Sequence, residues 1–260
     1  MIASDLSTLT PDWHLPLAHE QLYSDQYMAG GRTFLDVGAH VGTWTLRLAP
    51  KFERVFCFEP DLRACMALRK NIETAGLTNV EVVQVAVTDY VGTAVINLYP
   101  NPSGNSLLTP EQSNRKPDTD PMLWPEEVAT TTIDAFCKER GITDVDLIKM
   151  DIEGAEITAV PGAVETFRAQ RPDFFIELHG MFHERLRRVL SFEQCDVIDG
   201  GRAGISLVRH RAEWPAFTAP DFRVYPHGTS PTLEELEELR REHGIAWEAP
   251  RSGFLSLEGE

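Results

Sequence analysis

The chain is short of cysteine, of positive charge and of long apolar runs, and each shortage removes a class of protein. Its 260 residues include four cysteines, Cys57, Cys65, Cys137 and Cys195, and no Cys-x-x-Cys pair. A disulfide framework and a structural zinc site are therefore not expected, and reduced, buried thiols are the simpler account. No apolar run approaches the ~20 residues that cross a bilayer. The first residues lack the basic-then-apolar layout of a signal peptide, so a cytoplasmic protein without membrane insertion is expected. Lysine and arginine total 24 against 40 aspartates and glutamates, a formal charge of −16. That balance argues against nucleic acid or an anionic membrane as partner, although solubility accounts for it equally well.

What is present is a globular composition, 42% hydrophobic and 25% charged, of a length suited to one large core. Residues 1–31 read as an N-terminal cap anchored by Trp13, Leu15, Leu17, Leu22, Tyr23 and Tyr27. Residues 32–209 then alternate strand-like and helix-like patterns. That alternation predicts an α/β fold, a doubly wound and mainly parallel sheet with helices on both faces. Strands are expected at 33–37, 54–58, 80–87, 145–150 and 174–178, with a late hairpin at 194–198 and 204–209, seven in all. Two further strands, 94–99 and 128–133, flank an irregular segment. Residues 100–127 hold six of the seventeen prolines and read as a lid-like insertion over the C-terminal side of the sheet. Residues 210–260 read as an appendage. In it Thr232-Leu-Glu-Glu235 opens an acidic helix whose Leu236 and Leu239 offer a docking surface for a second copy of the chain.

The most informative run is Phe34-Leu-Asp36-Val-Gly38-Ala-His40-Val-Gly42, an apolar strand that ends in a carboxylate and enters a glycine loop before a helix at Thr43. Nucleotide-like ligands sit at such junctions, where backbone N–H groups point outward. The dinucleotide fingerprint Gly-x-Gly-x-x-Gly needs a glycine at its middle position to clear space for a pyrophosphate. Here His40 stands there. Asp36 also suits a cationic amine better than a phosphate, so the expected ligand has an ammonium group, a ribose and no phosphate: S-adenosyl-L-methionine.

Glu59 closes the second strand and is placed to accept both ribose hydroxyls, with Pro60 fixing the turn away. Ala86 and Val87, read as the end of strand three, offer small side chains on which an adenine could lie flat. A second run, Asp146-Leu-Ile-Lys149-Met-Asp151-Ile-Glu153-Gly-Ala-Glu156, brings three carboxylates together at a strand end. Such crowding needs an offsetting cation, the sulfonium or Lys149, and suggests a site. Glu177 and His179 add a carboxylate and an imidazole to the same rim.

These runs resemble the FkbM family of S-adenosylmethionine-dependent methyltransferases. The match rests on Asp36-Val-Gly-Ala-His-Val-Gly42, Phe58-Glu-Pro60, Ser103-Gly-Asn-Ser106 and Thr132-Ile-Asp134. It continues through Leu147-Ile-Lys-Met-Asp-Ile-Glu-Gly-Ala-Glu156, Pro161-Gly162, Arg171-Pro172 and Ile176-Glu-Leu-His179. Where His40 stands the family commonly has asparagine, which bears on the detail of cofactor contact. The resemblance implies the class I methyltransferase (Rossmann-like) sheet and, usually, O-methylation. It implies that Asp36, Gly38, Gly42 and Glu59 hold the cofactor; His40, Thr43, Pro60, Ala86 and Val87 are expected beside them on their positions. It further implies that Asp151 and His179 face the transferring methyl.

A hydroxyl acceptor has to lose its proton, and His179 is the expected base, with Asp151 orienting the acceptor or replacing it in that role. Asn105, Ser106, Trp124 and Glu177 are the expected acceptor contacts, the acceptor being a small molecule or glycan. A version assisted by magnesium on Asp151, Glu153 and Glu177 is conceivable but not favoured. The competing expectations are a non-catalytic S-adenosylmethionine-binding module, an amine or carboxylate acceptor, and an NAD-dependent oxidoreductase, which His40 opposes.

Overall fold

The computed structural model describes residues 30–100, 104–109, 121–177, 195–199, 205–210 and 223–225. In chain order its elements are β1 (Gly31–Val37), α1 (Thr43–Leu48), β2 (Phe52–Phe58), α2 (Leu62–Thr74), β3 (Val80–Val83) and β4 (Ala86–Val87). There follow β5 (Gly92–Leu98), β6 (Trp124–Thr131), α3 (Ile133–Arg140), β7 (Val145–Met150), α4 (Glu156–Ala159) and α5 (Val164–Gln170). The last are β8 (Asp173–Glu177), β9 (Cys195–Asp199), β10 (Ile205–His210) and β11 (Arg223–Tyr225).

The main sheet runs β11-β9-β10-β8-β7-β1-β2-β3. Strands β3, β2, β1, β7 and β8 are parallel, while β10 is antiparallel to β8 and β9, and β11 to β9. This is the expected doubly wound α/β fold. The chain reverses direction across the sheet between β1 and β7, the switch point outside which ligands bind in such folds. Among the described residues the sheet has eight strands, where seven are expected from the sequence. The eighth, β11, comes from the segment read as an appendage, and three residues are too few to display a period.

Burial on both faces explains the apolar strands. Leu35, Val37, Phe56, Phe58, Ile148, Met150, Phe174 and Ile176 form one core, with Ile133, Phe136 and Phe167 packed over them. Phe34, Val55, Cys57, Leu147 and Phe175 form the other, under Trp44 and Leu48. The Trp44 and Phe175 rings stand 4.7 Å apart. Two charged residues interrupt the second face: Asp36 and Lys149, directly opposite each other across β1 and β7.

A second sheet of order β4-β6-β5 stands beside the first. The strand expected at 80–87 is two strands in different sheets. The Val85 N–H donates to the Val83 carbonyl at 3.0 Å, and this γ-turn-like contact redirects the chain. β5 and β6 form a hairpin from Gly92↔Thr130 to Leu98↔Trp124. Residues 124–127, assigned to the insertion, therefore belong to β6. Exposed, polar Glu126 and Glu127 hide the strand pattern, and Pro125 is tolerated because β4 pairs only with Thr130 and Thr131, leaving that edge open at Pro125.

Several motifs that carry the family resemblance are structural. Thr132 caps α3, its hydroxyl accepting the Ala135 N–H at 2.9 Å, and Gly141, at φ 62°, ends the same helix. Asp134 reaches out of α3 to accept the N–H groups of Glu165 at 3.0 Å and Thr166 at 2.7 Å, capping α5 in trans. A Cβ on Gly162 would lie 2.4 Å from the Thr88 carbonyl oxygen. No helix among the described residues is long and apolar enough to cross a membrane. The N-terminal cap up to residue 29 and the acidic helix of residues 232–244 lie outside the described residues.

Candidate cofactor and acceptor site

The C-terminal ends of β1, β2 and β7 meet at one place. The Gly38 and Ala39 N–H groups both donate to the Phe58 carbonyl, at 2.9 and 3.1 Å, and the Asp151 N–H donates to the Val37 carbonyl at 3.1 Å. Gly38 sits at φ 78°, and a Cβ there would lie 1.9 Å from the Asp151 carbonyl oxygen. Only glycine permits that approach. His40 takes up a left-handed φ of 50° without being glycine, a conformation such loops hold only when their surroundings impose it. Gly42, at φ 98°, leads into α1, and Thr43 is that helix's first, partly buried residue.

Glu59 supplies part of that constraint. Its Oε2 accepts the His40 N–H at 2.9 Å and its Oε1 accepts the Asp61 N–H at 2.9 Å. The side chain is only 6% exposed. Burial pushes its carboxyl up to about 7, against the opposing pull of these two N–H groups. Pro60 follows at the turn, partly buried.

Asp36 is fully buried. Its Oδ2 accepts the Thr45 hydroxyl at 2.6 Å, and the same hydroxyl lies 3.0 Å from the Cys57 thiol. The Lys149 ammonium donates to the Gly38 carbonyl at 3.1 Å, and stands 3.6 Å from Asp151 Oδ2 and 3.8 Å from Asp36 Oδ1. Burial raises the Asp36 carboxyl above its ordinary value, and Lys149 and Thr45 pull it back. Lys149 thus offsets Asp151 of the crowded run, as expected, and also stands beside Asp36, which lies outside that run. Asp151 is 28% exposed on the rim.

The third carboxylate of that crowded run has another task. Glu156 is buried, and its Oε1 accepts the N–H groups of Ile152 at 2.8 Å and Gly154 at 3.3 Å. It holds the loop after β7 in shape, including the left-handed Glu153 and Gly154. Among the described residues no three His, Cys, Asp or Glu side chains converge to hold a metal ion. Asp151, Glu153 and Glu177 do not form such a group, so no step is assigned to magnesium.

The insertion is pinned to this rim. Asn105 donates to Asp61 Oδ2 at 2.7 Å and accepts the Tyr99 N–H at 2.8 Å, while Ser106 donates to the Glu153 carbonyl at 2.8 Å. Asp61 also caps α2 through the Arg63 N–H at 2.8 Å and holds the Arg63 guanidinium. That guanidinium lies 5.7 Å from the ring centre of Trp124, which is 44% exposed on β6. Sequence reading missed Asp61; its signal is a carboxylate two residues past Glu59 at the start of a helix, a capping position. Ala86 and Val87 are buried in the second sheet rather than closing strand three, and Val87 packs in the core. Glu177 is partly buried at the end of β8, opposite Ile205. His179 lies outside the described residues.

The three described cysteines whose side chains are placed, Cys57, Cys65 and Cys137, are free and buried. Burial pushes the Cys65 and Cys137 thiols up to about 12 and about 11, so neither is a ready nucleophile.

Comparison with known proteins identifies relatives of the chain by sequence and by fold. The chain is similar to the 2-O-methyltransferase NoeI of Sinorhizobium fredii, 33% identical over 149 residues that cover 53% of this chain and 59% of that protein. It is also similar to the methyltransferase sdnD of Sordaria araneosa, 26% identical over 155 residues covering 50% and 60%. It thus spans about three-fifths of the length of the curated relatives it matches. A solved structure of the methyltransferase FkbM from Methylobacillus flagellatus overlays 70% of this chain and 44% of that one at 19% identity, with a TM-score of 0.47. The model of the methyltransferase FkbM domain matches residues 36–197, which run from the buried carboxylate of β1 into β9, and the chain belongs to that family.

Proposed function

We propose that the protein is an S-adenosylmethionine-dependent O-methyltransferase whose acceptor is a hydroxyl of a sugar, a glycan or another natural product. The observation that carries the reading is Glu59, a strand-end carboxylate held between the N–H groups of His40 and Asp61 beside a left-handed glycine loop. Each of its oxygens keeps a further lone pair, the acceptor capacity that a ribose diol requires. Gly38, His40, Gly42, Thr43 and Pro60 are proposed to line the same cofactor edge. Asp36, fully buried, is proposed to act on the site through Thr45 and Lys149.

S-adenosylmethionine, when bound, supplies an electrophilic methyl group on a sulfonium. The chain's own part is to hold the acceptor and take its proton. Asp151, at the rim beside Gly38, orients the hydroxyl. His179 is the proposed base, on the chemistry of an imidazole near neutrality. Trp124 and Glu177 are proposed acceptor contacts. Asn105 and Ser106 act by fixing the insertion to the rim. The similarity to NoeI, a 2-O-methyltransferase, supports an oxygen acceptor.

Calorimetric titration with S-adenosylmethionine and S-adenosylhomocysteine tests the reading, on the wild type and on Glu59→Ala. Micromolar binding that the variant loses is expected, followed by methyl transfer to a panel of hydroxylated acceptors. A folded wild type that binds neither ligand would overturn the proposal. Binding without turnover across the panel would favour a non-catalytic module.

A further inference from the structure

The Lys149 side chain is 3% exposed and ends among three oxygens that belong to three different pieces of chain. Gly38 O is in the glycine loop, Asp151 Oδ2 is on the rim after β7, and Asp36 Oδ1 is on the buried end of β1. An ammonium has three hydrogens to offer. The contact of hydrogen-bond length, 3.1 Å, goes to the loop carbonyl, and the two carboxylates stand at ion-pair distance, 3.6 and 3.8 Å. Of these three oxygens the loop carbonyl is the nearest and the Asp36 carboxylate the farthest. Buried ion pairs are in any case weak devices for stability, since apolar replacements of both partners are often neutral.

The backbone already brings the two rim pieces together on the other side. Gly38 has no Cβ and lies against the Asp151 carbonyl, and the Asp151 N–H bonds to the Val37 carbonyl. Lys149 closes the same junction from below. The geometry points to Lys149 as a positioning residue that locks the glycine loop to Asp151, so that the cofactor side and the acceptor side of the site keep one fixed spacing. The consequence for transfer rests on the methyltransferase reading above; the lock itself does not.

Lys149→Met alone leaves the buried Asp36 charge without its cation and is expected to fold poorly, because removing one member of a buried pair is costly. The informative comparison is the double variant Asp36→Asn/Lys149→Met against Asp36→Asn. Both carry the same change at Asp36, so their difference reads what Lys149 does beyond neutralising Asp36, and loop exchange reads its hold on Gly38. Two measurements apply: S-adenosylhomocysteine affinity by calorimetry, and amide hydrogen exchange of residues 38–42. The double variant is expected to retain a cooperative melt, to bind about tenfold more weakly than Asp36→Asn, and to exchange its loop amides faster. Equal affinity and equal loop protection in the two variants would overturn the inference. If the wild type binds no S-adenosylhomocysteine, the functional reading fails, and loop exchange alone still decides the role of Lys149.

Discussion

Glu59 and His40, nineteen residues apart, are joined by a backbone N–H to carboxylate hydrogen bond of 2.9 Å that ties the end of β2 to the loop after β1. Protonation of Glu59 removes an acceptor at the point where the ribose is proposed to bind. With the carboxyl at about 7 in the fold and near 4.5 when unfolded, its contribution to stability is full below 4.5 and lost as pH rises through about 7. Ligand binding needs the ionised form and works against that loss. The rise in melting temperature given by saturating S-adenosylhomocysteine is therefore expected to be larger at pH 8 than at pH 6. Calorimetry in buffers of different ionisation heat is expected to show proton release near pH 6.5. A pH-independent ligand effect would remove Glu59 from the site.

Asp36→Ala is a poor probe of ligand contact, because it strands a buried lysine. The variant is expected to lose about 3–5 kcal/mol of stability in urea unfolding, whereas Glu59→Ala, which frees two backbone N–H groups at the rim, is expected to lose about 1–3 kcal/mol. Comparable losses in the two would show that the Lys149 charge finds adequate company without Asp36.

Gly38→Ala and Gly42→Ala are expected to separate. Both positions are left-handed, which costs an alanine about 1–2 kcal/mol. At Gly38 the added methyl also meets the Asp151 backbone, while at Gly42 it meets the flexible end of Leu68 at 2.6 Å. Chemical denaturation is expected to rank Gly38→Ala well below Gly42→Ala, and the reverse order would contradict the loop geometry.

Asp134→Ala removes the cap on α5 without touching the rim. A loss of about 1–2 kcal/mol is expected, with S-adenosylhomocysteine affinity unchanged. A large loss of affinity would show that the family motif at 132–134 does more than hold helices.

His179→Ala is expected to slow methyl transfer by about 10²–10⁴-fold at unchanged cofactor affinity, measured once an acceptor is in hand. A fully active variant would pass the role of base to Asp151.

Much of this molecule is legible in the chain because parallel strands buried on both faces are nearly continuous apolar runs. Residues 145–150 are read to the residue as β7, and the glycine loop and Glu59 fall where the strand ends require. The failures have local causes. A two-residue strand such as β4 has no period to detect, and the γ-like turn at Val85 is invisible without its partner. β6 is masked by exposed glutamates and a proline on an open edge. Asp61 escapes because its importance lies in what the insertion brings to it. Lys149 is expected only as an offset to the crowded carboxylates; its pairing with Asp36 becomes legible once β1 and β7 are known to adjoin, since the two face each other in register. Glu156 shows the opposite error: a carboxylate in a crowded run turned inward to hold its own loop.

The hairpin of β5 and β6 has a consequence for how such a protein diversifies. Its paired ends, Leu98 and Trp124, stand at a separation set by ladder hydrogen bonds, and Asn105 and Ser106 fasten the outgoing chain to Asp61 and Glu153. Whatever length of chain runs between these anchor points, the strand ends that carry the glycine loop and Glu59 receive the same attachments. The segment is thus a natural splice site: under the proposed function, exchanging this cassette is expected to change acceptor preference while the proposed cofactor side keeps its attachments.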